Sequence, residues 1–272
     1  MPPHYDYVGL YRGRNYEETC LALAEVSLAT VSLLVVARVL QIYVSTWFFY
    51  FKAITIAVGL VAILLHGKPH VYGLKPKNIR FSLKWSAYLL SLFIGCILIA
   101  LAVCLARGLQ PPTTRDVVLG AIYEYIFIGF AEELFFRGYV QSRLNEVFTK
   151  KYRRFLWVDT EWSQGTLIAA IFLFGIPHLF NEVNPLIGKY AISPLTVFMT
   201  FSACFMGTVW GVIREKTGFI LIPTVIHGSM LYTVSILGRV AGLGASNTVA
   251  AITLFIFFAV FFEKMMKEPL QG

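Results

Sequence analysis

The sequence predicts an all-α, polytopic integral membrane protein in which about eight transmembrane helices surround an intramembrane cavity. Three observations carry the prediction. Hydrophobic residues make up 57% of the chain and charged residues only 14%; a soluble domain has roughly a quarter of its residues charged, so most of this surface is built for lipid. The apolar residues gather into runs long enough to cross a bilayer, which takes about 20 residues of helix. The basic residues fall between those runs and are shared unequally by the two faces. The net charge of +8 therefore reads as membrane orientation, and no nucleic-acid partner is expected.

Taken in order, the candidate spans are about 18–42, 46–66, 85–107, 117–144, 163–180, 193–213, 219–238 and 246–263. Little more than Val44 to Thr46 separates the first two, which predicts a tight helical hairpin. The fourth is mostly apolar from Val117 to Ala131 and then carries Glu132, Glu133 and Arg137. The fifth closes in Phe174-Gly175-Ile176-Pro177-His178, and the seventh holds Val225-Ile226-His227-Gly228-Ser229. A polar start and a long first apolar run predict no cleavable signal peptide. With no repeat, low-complexity tract or linker, residues 1–272 are expected to form a single membrane domain.

Eight spans put both termini on one face. That face would hold sixteen of the 23 Lys and Arg residues, against six (Arg38, Lys52, Arg107, Arg115, Lys189, Arg239) near span ends on the other, with Arg137 inside a span. The bias makes the termini cytoplasmic. Lys150 to Arg154, with Trp157 and Trp162 after it, reads as a cytoplasmic interfacial loop touching anionic lipid or as ordinary positive-inside charge. Cys20, Cys96, Cys104 and Cys204 are scattered through apolar segments without C-x-x-C spacing and read as small buried hydrophobes.

Ionisable groups at membrane depth cost several kcal/mol and mark function. On an α-helix Glu133 and Arg137 are neighbours on one face, whereas Glu132 is turned away by about 100°. Arg137 then neutralises Glu133 and leaves Glu132 for another task. Buried without a full counter-ion, Glu132 is expected to hold its proton more tightly than an exposed carboxylate, which suits a general base. The bland reading is a salt bridge with a spare carboxylate. Glu124, two turns earlier, is placed as a structural or substrate-side residue, and Glu25 also falls within an apolar run.

Only His178 and His227 lie within spans; His4, His66 and His70 are given no role. An isolated histidine in a bundle is more often a packing residue, but depth argues otherwise. Measured from the basic face, Glu132, His227 and His178 lie roughly 18, 12 and 22 Å deep at 1.5 Å per residue, so three helices bring them to one layer. A carboxylate and a histidine can hold and deprotonate water while a second histidine donates to an oxyanion, which describes peptide-bond hydrolysis. The same three residues are alternatively a zinc site with water as fourth ligand. H-E-x-x-H and G-x-S-x-G are absent and no aspartate pair lies in the spans, so helical zinc-protease, serine and aspartyl chemistry lack their signatures.

E-E-x-x-x-R at Glu132, Glu133 and Arg137, then F-x-x-x-H at Phe174 and His178, then a histidine in a later span, resembles the CAAX protease and bacteriocin-processing (CPBP, or ABI) family. Its type II CAAX endopeptidases (CAAX prenyl protease 2) remove the last three residues from prenylated proteins. The basic segment Tyr72-Gly73-Leu74-Lys75 fits as well, and the resemblance runs over about 68–237. It implies that Glu132 activates water, His178 helps hold it, Glu133 and Arg137 support the site, and His227 stabilises the oxyanion. It favours metal-free glutamate chemistry, with no cofactor expected and zinc as the alternative. The implied partners are membrane lipid and a peptide tail, prenylated or unmodified, that enters between helices.

One position departs from the family. Its third motif usually reads H-x-x-x-N, with the asparagine as second oxyanion donor, and here that position is Leu231. Losing such a donor costs roughly 3–4 kcal/mol of transition-state stabilisation. Ser229, Thr233 and Asn181 are the candidate replacements. Leu231 also supports a second reading, a non-proteolytic member acting as a binding or immunity factor. A third, a proton relay through Glu124, Glu132 and Glu133, meets no internal repeat of the kind transporters show.

Overall fold

The computed structural model describes residues 7–270, with side chains from Tyr16 onward; His4 and both chain ends lie outside the described residues. A helix stands at each predicted place. These are α1 (Tyr7–Tyr43), α2 (Trp47–Leu65), α3 (Ile79–Ala106), α4 (114–147), α5 (164–180), α6 (Pro194–Thr217), α7 (221–241) and α8 (243–267). Among the described residues, five helices are long and apolar enough to cross a membrane: Tyr16–Tyr43, Trp47–Leu65, Ile79–Ala106, Pro194–Thr217 and the pair α7–α8 taken together. Gly242 breaks that pair at φ 80° and ψ 165°, a conformation open to glycine because it has no Cβ.

Val44 to Thr46 do form a tight reversal, closed by the Trp47 N–H donating to the Val44 carbonyl at 3.0 Å. Glu25 then ties α1 to α4. Its carboxylate accepts from the Tyr139 hydroxyl at 2.6 Å and from Arg143 Nε at 2.9 Å, and His66 Nε2 approaches it at 3.2 Å. His66 thus has a structural role that its position at a span end does not reveal.

Among the described residues, two short segments form β-hairpins. Residues 151–163, expected as an interfacial loop, pair as an antiparallel hairpin of β1 (Lys151–Phe155) and β2 (Val158–Ser163). Trp162 belongs to the core: it packs on Tyr152 and Phe155, and its Nε1 donates to the Arg154 carbonyl at 2.9 Å. Trp157 stays half-exposed against Phe258 and Phe262. A second tiny hairpin joins β3 (Val183–Asn184) and β4 (Lys189–Tyr190) between α5 and α6. The cysteines are also corrected in part, since Cys104 alone is fully buried and Cys20 is exposed on α1, where a thiol facing lipid costs little.

Helix α4 crosses the middle of the bundle and departs from α geometry on both sides of Glu132, with π-helical turns at Tyr123–Phe130 and Glu133–Val140. Such turns widen a helix and concentrate at functional sites. The first half of α4 packs on α7 and the second half on α2, while α5 lies against α6. The α5–α6 contact depends on Gly175. A Cβ there would stand 2.2 Å from Cys204 Sγ and 2.8 Å from Cys204 Cα, so backbone would have to move. Gly175→Ala is expected to cost about 1–3 kcal/mol by overpacking, read as a lower unfolding midpoint in detergent, and Gly175→Ala with Cys204→Ala should recover less than half because the clash with Cα remains.

Candidate active site

Four helices supply the site. Glu132 and Glu133 come from α4, His178 from the 3-10 turn that ends α5, His227 from α7 and Lys52 from α2. Glu133 is fully buried, and one of its oxygens, Oε1, serves two partners: His227 Nδ1 at 2.9 Å and Arg137 Nη1 at 3.1 Å. An ionised carboxylate only accepts, so His227 donates through Nδ1 and turns Nε2 toward Glu132, whose Oε2 stands 3.9 Å away. The Trp210 ring stacks on the imidazole at 4.2 Å and 20°, and the Phe174 ring meets it edge-on at 6.3 Å. His227 is thus fixed at one nitrogen and on one face.

Phe174 is the hub that aligns the rest. The Arg137 guanidinium lies 3.9 Å from its ring centre and 5.1 Å from that of Trp210. The Phe174 carbonyl accepts from His178 Nδ1 at 2.8 Å. That bond puts the proton of a neutral His178 on Nδ1 and leaves Nε2 as an acceptor, the arrangement that holds a water by its hydrogen. His178 lies within electrostatic reach of Glu132, Lys52 and His227 while its direct hydrogen bond stays with the chain of its own helix.

The electrostatic reading of Glu132 needs correction. The sequence leaves it without a full counter-ion, but the Lys52 ammonium donates directly to Glu132 Oε1. Lys52 is only 4% exposed, so it belongs to the interior and not to the far face where its position near a span end had put it. A signal was present, since Lys52 is the one charged residue in the 19-residue segment Trp47–Leu65. Its partner has no sequence signature. Trp210 was missed entirely, because a tryptophan in an apolar run looks the same whether it packs on leucine or on a histidine of the site.

The remaining candidates lie elsewhere. Glu124 is buried, hydrogen bonded to Ser235, and within electrostatic reach of His227 and Glu132; it lines the same interior from further along α4. The Ser229 hydroxyl is spent on the Tyr125 hydroxyl at 2.7 Å, and the Thr233 hydroxyl donates to the Ser229 carbonyl at 2.8 Å. Asn181 lies past the end of α5 with an exposed side chain. None of the three is turned to replace the asparagine missing at Leu231.

Among the described residues no three His, Cys, Asp or Glu side chains are grouped to share an ion. The Lys52 ammonium holds one Glu132 oxygen.

Carboxylates and imidazoles thus converge from separate helices of a polytopic bundle. Residues 114–233, from the start of α4 to just beyond His227, match the family described as type II CAAX prenyl endopeptidase Rce1-like. The match takes in Glu132, Glu133, Arg137, His178 and His227 but not Lys52. No curated protein and no solved structure gives a significant match.

Proposed function

We propose that this protein is an intramembrane endopeptidase that hydrolyses a peptide bond near the C-terminus of a membrane-delivered tail, prenylated in the form its family favours, using water activated by Glu132. The observation that supports the reading is the meeting of Glu132, His178 and His227 in one buried layer, with Glu133 fixing His227 from behind. Water held by His178 Nε2 loses a proton to Glu132 as its oxygen attacks the scissile carbonyl. A doubly protonated His227, its Nδ1–H held by Glu133, donates through Nε2–H to the oxyanion. Collapse of the tetrahedral intermediate breaks the C–N bond, and Glu132 returns the proton to the leaving amine. The termini are cytoplasmic in this reading, by the positive charge on their face.

The test is cleavage of farnesylated and unmodified tail peptides by purified protein, beside Glu132→Ala, with and without a chelator. Cleavage that Glu132→Ala abolishes and chelator leaves intact supports the proposal. Loss to chelator overturns its metal-free form. Leu231 favours one other reading, a member that binds without cutting, since Ser229 and Thr233 are both turned away. Leu231→Asn, one turn from His227, separates the two: a protease lacking one donor should gain in kcat, by as much as about 100-fold, and a binding protein should gain nothing.

A further inference from the structure

A cavity of about 450 Å3 opens on the basic face, away from the protease layer. It is walled by the α2–α3 connection (His70, Lys75, Lys77), the first residue of β1 (Lys151) and the end of α6 (Arg214, Glu215). Four permanent cations therefore face one carboxylate. That carboxylate is already occupied, accepting from the Ser163 N–H at 2.9 Å, the Ser163 hydroxyl at 2.7 Å and the Thr166 hydroxyl. Lys151 reaches it only at 3.5 Å, and Lys77 Nζ donates instead to the Glu215 backbone carbonyl at 2.7 Å.

Arg214 is the strongest sign of a built site. Its side chain is 6% exposed, its Nη2 donates to the Val71 carbonyl and the Ser142 hydroxyl, and its buried Nε has no partner. A buried guanidinium costs free energy that a nearby anion offsets. Partial burial together with the charges of Arg214 and Lys151 pushes the Lys77 ammonium below its usual range against the opposing pull of Glu215.

We infer that this cavity binds the phosphate of an anionic membrane phospholipid. A lipid, more than a free phosphate, is favoured by what lies beside the cavity. Val71, on its wall, and Ile79 and Leu83, on the first turns of α3, are 41%, 48% and 55% exposed. The cavity sits where helices α2, α3, α4 and α6 end, at headgroup depth, so a headgroup among the cations leaves an acyl chain lying along α3. Free phosphate would leave those apolar side chains uncovered.

The experiment titrates the purified full chain in detergent with dioctanoyl phosphatidylglycerol, dioctanoyl phosphatidylcholine or inorganic phosphate, reading bound lipid per chain by native mass spectrometry. Expected is one phosphatidylglycerol per chain, held tighter than phosphatidylcholine and not displaced by equimolar phosphate. Lys75→Gln with Lys77→Gln should weaken it about 30-fold, at about fivefold per basic residue. Lys264→Gln with Lys267→Gln, exposed cations outside the cavity on α8, should leave it unchanged. Equal affinity for the two lipids, equal loss in both double variants, or displacement by phosphate overturns the proposal. Both lysines of the first pair are exposed, and neither belongs to the protease layer, so the result stands apart from whether Glu132 cuts peptides.

Discussion

Glu132→Gln is expected to lower kcat by about 10²–10⁴-fold, the contribution of a positioned general base. The substitution is isosteric and keeps an oxygen for Lys52, but the amide cannot accept the proton that water must lose. It also strips the counter-ion from a lysine that is 4% exposed. Stability should therefore fall along with activity, and the two effects need separating. Glu132→Gln with Lys52→Met removes the stranded ammonium. Folding stability should return toward the native value while activity stays absent. Lys52→Met alone, which leaves the carboxylate without its cation, should lower the rate and shift its pH dependence. Cleavage persisting in the folded double variant would remove Glu132 from the role of base.

How far the sequence could go is clear from Lys52 and its surroundings. The helices were legible because their apolar runs are long, five of them long enough to cross a bilayer, and the layer holding His178 and His227 was expected from counting rise per residue. The E-E-x-x-x-R spacing correctly placed Arg137 beside Glu133, since i and i+4 stay neighbours even though the segment Glu133–Val140 winds as a π-helix. The π turns themselves left no mark, because they arise from packing between helices and not from the propensity of any residue in them. The counter-ion of Glu132 was not legible for a related reason: Lys52 and Glu132 are 80 positions apart and meet only once α2 docks on α4. The β1–β2 hairpin was missed because its basic residues and tryptophans match an interfacial loop in composition. Only pairing distinguishes them, by burying Trp162 and exposing Trp157.

Arg137→Met should be the most destabilising single substitution, by about 3–5 kcal/mol, the cost of breaking a buried ion pair from one side. Arg137 is 2% exposed and Glu133 is not exposed at all, so no water replaces the lost cation. Glu133 Oε2 has no hydrogen-bond partner even in the intact protein, and after the change the carboxylate would depend on His227 alone. Methionine fills much of the space over Phe174 and Trp210, so loss of charge dominates over loss of packing. A control exists within the same helix. Arg143 pairs with Glu25 at 2.9 Å, but those side chains are 19% and 34% exposed, and Arg143→Met should cost no more than about 1 kcal/mol. Unfolding midpoints of the two variants in one detergent measure the contrast. Glu133→Gln with Arg137→Met should recover most of the stability by removing both charges, yet His227 would lose the ionised acceptor that orients it, and kcat should stay low. If the double variant recovers stability and activity together, Glu133 holds the fold and does not orient His227. If Arg137→Met costs no more than Arg143→Met, the buried pair carries no such weight.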